Sequence, residues 1–176
     1  MHMVTDSHAE IVFRRLPQVD AADLIALMND PRVRRHLPLA RGVFGPAECE
    51  QFVEMKERIW AEHGYGPWAF VIRGEFAGWG GLQPEGEDID LGLVLRPKFW
   101  GWGPALYARL AAAAFEELHA ASITILLPAS RVHISGVLRI GFRLDGEIDV
   151  AGERFFRYRQ TATKLGASAC DGASSL

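Results

Sequence analysis

Hydrophobic positions recur along this chain with periods that change from segment to segment, and the changes predict one mixed α/β domain. A first strand is expected over Ile11-Val12-Phe13-Arg14-Arg15-Leu16. Asp20 is placed to cap a helix over Ala21 to Asn29, with Leu24, Leu27 and Met28 at core spacing, and Pro31 is expected to end it. A second helix opens at Gly45-Pro46, where a proline in the first turn gives up no hydrogen bond. It runs to about His63 with Phe52, Met55 and Ile59 on one stripe. The period then drops to two. Trp68 to Ile72 and Phe76 to Trp79 read as strands joined by a Gly74-Glu75 hairpin. Asp88 to Leu95 is the next strand, with Ile89, Leu91, Leu93 and Leu95 on one face and Asp88, Asp90, Gly92 and Val94 on the other.

A longer helix is expected from Pro104 to about His119, with Leu106, Leu110, Ala114 and Leu118 in line, followed by the apolar strand Ile123 to Leu127. Strand, helix, strand in that order implies a right-handed crossover. A short helix over His133 to Ile140 and two strands, Phe142 to Asp149 and Arg154 to Thr161 around an Ala151-Gly152 hairpin, complete the order β-αα-βββ-α-β-α-ββ. That order describes a central mixed sheet of about six or seven strands flanked by about four helices. Neither a repeat nor a linker-like stretch divides the chain. Residues 1–10 are expected to be a flexible N-terminus, 11–162 a single domain, and the Gly/Ala/Ser-rich 163–176 a disordered tail.

Composition narrows the function. With 176 residues, 49% of them hydrophobic and 23% charged, the chain has the balance of one soluble globular core. A formal charge of −3 and the absence of a Lys/Arg run argue against a nucleic-acid or anionic-membrane partner. No apolar run nears the roughly 18 residues of a membrane span, and the polar first residues do not look like a secretory signal, so a cytoplasmic location is expected. Cys49 and Cys170 have neither metal-ligand nor disulfide spacing, and no metal is expected. Arg32, Arg34, Arg35 and His36 form a basic cluster that either complements the end of the first helix or attracts an acidic partner. Glu85, Glu87, Asp88, Glu147, Asp149 and Glu153 form an acidic set that, lining an acceptor cleft, would favour an amino cation.

The segment with the clearest chemistry is Gly101-Trp102-Gly103-Pro104-Ala105, between a strand and a helix start. Gly101 and Gly103 permit positive φ and close approach of a ligand. Trp102, Gly103 and Ala105 then remain as possible N–H donors to an anion at the positive end of the helix dipole. The plainer alternative is a tight turn and nothing more. The G-x-x-x-x-G-K-[ST] phosphate loop is absent, and the dinucleotide fingerprint fails because Leu106 takes the third glycine position and no acidic residue follows about 20 positions on.

Four ordered segments carry a resemblance. Trp100-Gly101-Trp102-Gly103-Pro104-Ala105 is similar to the pyrophosphate loop of the GNAT superfamily of N-acetyltransferases, and to the W-G-x-G-x-A of its branch that acetylates ribosomal-protein N-termini. Trp100 stands where the wider superfamily has Gln or Arg. Asp90-Leu91-Gly92-Leu93 resembles the branch's E-[IL]-G-Y, Asn29-Asp30-Pro31-Arg32-Val33 its N-D-P-x-V, and Ile140-Gly141-Phe142 its L-G-F. The resemblance covers about Ile11 to Thr161. It implies direct transfer of acetyl from acetyl-CoA to a primary amine, on a protein N-terminus or a small molecule, by a monomer or homodimer. It also implies a V-shaped opening between strands 88–95 and 123–127, with pantetheine lying along the backbone of Leu93, Val94 and Leu95 and the pyrophosphate near Trp100, Gly101, Trp102, Gly103 and Ala105.

The attacking amine must be neutral, so an α-amino group (pKa about 7.7 to 8.0) is an easier acceptor than lysine (about 10.4). Asp90, at the family's strand glutamate, is the candidate base, directly or through a water; alternatively Asp88 and Asp90 form the solvated face of an alternating strand. A backbone N–H near Leu93 or Val94 would stabilise the oxyanion. Many family members use a tyrosine of the short helix to protonate the leaving sulfur, and here that position is Val137. The branch's N-x-x-S falls on Ser130 and His133, which leaves His133 either as proton donor or as a helix-start or CoA-phosphate contact, and Ser130 or Ser135 as contacts to the thiol. Trp100 and Trp102 either cover the cleft or complete the core. The altered positions keep open a second function, an acyl-CoA-binding module that has lost catalysis.

Overall fold

Seven strands form from the β-rich runs: β1 (Ile11–Arg14), β2 (Pro67–Ile72), β3 (Glu75–Glu85), β4 (Asp88–Leu95), β5 (Ser122–Pro128), β6 (Arg143–Val150) and β7 (Glu153–Thr161). In the computed structural model, which describes residues 10–162, they join one sheet of order β1-β2-β3-β4-β5-β7-β6. Every neighbouring pair is antiparallel except β4 and β5. Five helices accompany them: α1 (Ala21–Asn29), α2 (Pro31–Arg34), α3 (Pro46–His63), α4 (Gly103–Glu116) and α5 (Ser135–Arg139). The expected element order and mixed α/β class hold. The expected tail 163–176, Cys170 within it, and the first nine residues lie outside the described residues.

The alternation read along Asp88 to Leu95 sorts two cores. Leu91 and Leu95 join Leu106, Leu110, Ile123, Ile125 and Phe142 on the α4 side, whereas Val94 joins Leu24, Leu27, Met28 and Trp79 on the α1 side. Burial on both faces explains why the central strands read as nearly continuous apolar runs.

Several local expectations change. Pro31 does more than stop α1: the Asp30 carboxylate accepts from the Arg32 N–H at 2.9 Å, and a capped proline opens the short α2. The β2–β3 turn is Arg73-Gly74, one residue earlier than expected, with φ of 51° and 80°, the two-residue left-handed turn that fits strand twist. Glu75 is thereby released to pair with Ile72. The buried stripe of α3 is also rotated from the expected Phe52, Met55 and Ile59. Cys49 and Trp60 are buried and Met55 is exposed, because Trp60 packs on Trp68 with ring centres 4.5 Å apart and donates to the Pro67 carbonyl at 2.9 Å. Helix α4 ends at Glu116, ahead of His119, whose φ is 52°. Helix α5 begins at Ser135, two residues later than expected.

Glycines on β3 let the β4 backbone come unusually close. A Cβ on Gly80 would stand 2.3 Å from the Gly92 carbonyl oxygen, a main-chain atom with no room to retreat. Gly80→Ala is therefore expected to lose about 1 to 3 kcal/mol of stability, as overpacking against backbone does, and a urea unfolding series at fixed pH checks it.

Candidate active site

Strands β4 and β5 meet at one register pair, Asp90 with Thr124, and β4 then continues along β3 to Leu95 while β5 continues along β7 to Pro128. Between the separated ends lies a cavity of about 240 Å³, lined on the β4 side by Gly92, Leu93, Val94 and Leu95 and on the β5 side by Leu126, Leu127 and Pro128. A second cavity of about 440 Å³ lies against the start of α4 and the segment from Ser130 through α5. His36, Trp100, Tyr107, Leu127 and Arg131 line both, so the two cavities adjoin and together make up the candidate cleft.

Main-chain direction along β4 decides which groups face that cleft. The Gly92 and Val94 carbonyls point at Gly80 and Gly78 of β3. By strand alternation the backbone groups of Leu91, Leu93 and Leu95 turn the other way. The Leu95 carbonyl is already engaged, accepting from the Trp100 indole N–H at 3.0 Å. Val94 therefore offers the cleft its side chain and keeps its backbone toward β3.

The glycine segment differs from its sequence reading. Pro97–Trp102 is a 3-10 helix running straight into α4, and the Gly103 N–H donates to the Trp100 carbonyl. Gly103 has φ −51°, and neither it nor Gly101 is left-handed. The continuous helical run absorbs the change of direction that positive φ was expected to provide. What the glycines supply is space: a Cβ at either would meet nothing within 4 Å, and both line the second cavity. Trp102 packs on the α4-side core under the Arg73 guanidinium, and Ala105 is exposed; neither lines a cavity. Ser130, His133, Ser135 and Val137 do line the second one, together with Arg131 and Arg139, two cations the sequence reading missed. Either guanidinium is a natural partner for a phosphate.

Asp90 sits where the strands join. It lines neither cavity, and its carboxylate accepts from the Thr124 hydroxyl at 3.3 Å. Burial pushes its pKa up to about 7, against the Thr124 hydrogen bond and with help from Glu85 and Asp88. Asp88 is held below the usual carboxylate range by Arg159, whose guanidinium grips it at 2.6 and 3.0 Å and also reaches Ser122 at 2.8 Å and Asp145 at 2.9 Å. The acidic set thus does not build an acceptor cleft: none of Glu85, Glu87, Asp88, Glu147, Asp149 or Glu153 lines either cavity, and Asp88 is spent on arginine.

The shared wall holds His36, read from sequence only as part of a basic cluster, and Tyr107, which sequence left unremarked. His36 meets the Trp100 edge with ring centres 5.9 Å apart, and its Nδ1 lies 3.2 Å from the Ser130 hydroxyl. Burial, then the positive charges of Arg131 and Arg35, lower its pKa. Tyr107, buried on α4, has its pKa pushed up to about 12 by burial and keeps its proton. Its hydroxyl has no hydrogen-bond partner among the described residues.

Residues 10–134 match the family model of the acetyltransferase (GNAT) domain. The chain belongs to the GNAT acetyltransferases. Solved structures share the fold: an acetyltransferase from Agrobacterium tumefaciens str. C58 at TM-score 0.71 and 21% identity, covering 86% of this chain and 91% of that one. A GNAT-family acetyltransferase from Bacillus anthracis has TM-score 0.68 and 17% identity over 86% of this chain and 93% of its own. The spermidine N-acetyltransferase of Vibrio cholerae, in complex with CoA and spermine, has TM-score 0.68 and 13% identity over 86% and 95%.

GNAT acetyltransferases use acetyl-CoA. The second cavity joins open space above Gly101 and Gly103 to two arginines, and the first joins it to inward-turned β4 backbone; this suits a diphosphate with an amide-bearing arm. Among the described residues no helix is long and apolar enough to cross a membrane, and no cluster of three potential metal ligands occurs.

Asp90 yields a test of its burial. The folded chain holds this proton more tightly than the unfolded one, so ionising it costs stability. The cost is absent below the ordinary value of 3.8, where both states are protonated, and is complete above about pH 7. Asp90→Asn removes it. The variant's Tm is expected to gain on the wild type's as pH rises from about 4 to about 7, with a constant gap beyond, as read by calorimetric scans across that range.

Proposed function

We propose that this chain transfers the acetyl group of acetyl-CoA directly to a primary amine, with both substrates bound at once. The observation that carries the reading is that two cavities adjoin: one suits a diphosphate, and the other has room for a second substrate beside the unpaired part of β4. Pantetheine would lie along Leu93 and Leu95, and the Leu93 N–H, turned into the opening, is the donor for the oxyanion. Arg131 and Arg139 would hold the phosphates over Gly101 and Gly103, with His133 and Ser135 beside them. Tyr107 supplies, from α4, a hydroxyl at the junction although Val137 occupies the family's tyrosine position. That favours catalysis over the alternative of a CoA-binding module without it.

The walls of the first cavity also bear on the acceptor. Met28, Val33, Leu37, Leu39, Trp79 and Phe155 are apolar, and no carboxylate accompanies them. A polycation such as the spermine of the Vibrio cholerae complex would meet Arg131 here instead of an acid. The reading is therefore an amine on an apolar body, either a small arylalkyl amine or a peptide N-terminus with an apolar first residue, the latter keeping the resemblance to the ribosomal branch.

Calorimetric titration with acetyl-CoA is expected to show micromolar binding, weakened about tenfold or more by Arg131→Ala, which removes a charge-assisted bond, and abolished by Gly103→Leu, which fills the open space. No binding at millimolar ligand sinks the reading. In a thiol-release assay, phenethylamine is expected to exceed spermidine in kcat/KM by about tenfold or more, since spermidine's second and third charges find no partner. The reverse preference refutes the apolar acceptor.

A further inference from the structure

The geometry points to His36, oriented by Ser130, as the base that takes the proton of the acceptor amine. The inference rests on the acetyl-transfer reading and departs from Asp90, which lines neither cavity, whereas His36 lines both and stands at their junction.

Hydrogen-bond accounting favours one tautomer of the imidazole. Ser130 has one hydroxyl proton, and its oxygen lies 3.3 Å from the Arg35 carbonyl, which can only accept. The Arg35 carbonyl is thus an acceptor for that proton. With the hydroxyl donating there, the contact between Ser130 Oγ and His36 Nδ1 at 3.2 Å is one in which Nδ1–H donates and Oγ accepts. A neutral imidazole with its proton on Nδ1 presents Nε2 as a bare lone pair, and Nε2 has no partner among the described residues. The Trp100 edge, itself anchored to the Leu95 carbonyl, packs against the ring and limits its rotation. A base held in one tautomer by a partner on its other nitrogen is the arrangement that proton abstraction needs.

Burial and the charges around His36 favour its neutral form. Arg35 adjoins it in the chain, Arg131 approaches from the segment after β5, and Tyr107 faces it from α4 as a neutral phenol; β4 contributes only apolar side chains and Gly92 to this junction. No carboxylate lines the junction to draw its pKa up. In the reaction, Nε2 takes one proton from the arriving ammonium, and the freed amine nitrogen bonds to the acetyl carbonyl carbon. When the carbon–sulfur bond breaks, its electron pair leaves on sulfur, and the second proton of the nitrogen ends on that thiolate. The first proton passes from Nε2 to solvent. Ser130 is a positioning residue, since it acts only through the imidazole.

Two measurements decide the matter. Long-range proton–nitrogen spectra of the whole chain at neutral pH should show His36 protonated on Nδ1 and bare on Nε2; the opposite tautomer overturns the proposal with no need for an acceptor. In the thiol-release assay, His36→Gln should lower kcat by about 100-fold or more, leave the calorimetric affinity for acetyl-CoA unchanged, and erase the acid limb of the pH profile. Asp90→Asn, which removes a carboxyl that titrates at about pH 7, should retain that limb. Ser130→Ala should lower kcat with little change in KM. A His36→Gln enzyme within about threefold of wild type, or an acid limb lost in Asp90→Asn instead, overturns the assignment. A chain that binds acetyl-CoA and acetylates no amine refutes the transfer reading itself, and this one with it.

Discussion

The separation of β4 from β5 is the constraint on which the rest depends. Each strand is committed on its outer side, β4 to β3 as far as Leu95 and β5 to β7 as far as Pro128, so neither can swing across to close the gap without breaking a ladder already made. Backbone groups that find no strand partner need another, because an unmet buried donor or acceptor costs free energy comparable to a lost hydrogen bond. The fold meets that need in part with the Trp100 indole on the Leu95 carbonyl and leaves the rest exposed to the cleft. A ligand carrying amides is the natural complement of such an edge, which ties the sheet's incompleteness to the family's cosubstrate.

Much of the architecture was legible because most elements obey their own local rules. The Asp88 to Leu95 alternation predicted which face each residue buries, and the residues expected to line α4, Leu106, Leu110 and Ala114, are fully buried. The failures share a cause, a tertiary contact or cap outweighing a local preference. Trp60 on Trp68 turned α3 away from Met55, Asp30 converted a helix-stopping proline into a helix-starting one, and Arg73 accepted a left-handed conformation that propensity assigns to glycine.

The site divides differently. Leu93, Val94, Leu95, Trp100, Gly101, Gly103, Ser130 and His133, singled out from motif positions, all lie on the cleft wall, while Asp90, Trp102 and Ala105 do not. Tyr107 and Arg131 went unmarked, and His36 was read only within a basic cluster, for a physical reason. They come from three segments far apart in sequence, and each has a bland local reading: a basic residue at a helix end, an aromatic on a core stripe beside Leu106 and Leu110, an arginine after a strand. Only the fold brings them to one wall, and no spacing within the chain encodes that meeting.

The grip of Arg159 on Asp88, Ser122 and Asp145 lies at the narrow end of the wedge, where it ties β4, β5, β6 and β7 together. In mechanical terms this is a clamped pivot, and the two strands are lever arms reaching from it to the mouth. A fraction of an ångström of play at the pivot becomes a larger displacement at the far ends of the arms. A cosubstrate seated at the mouth would thus feel the stiffness of an ion-pair cluster at the far end of the strands.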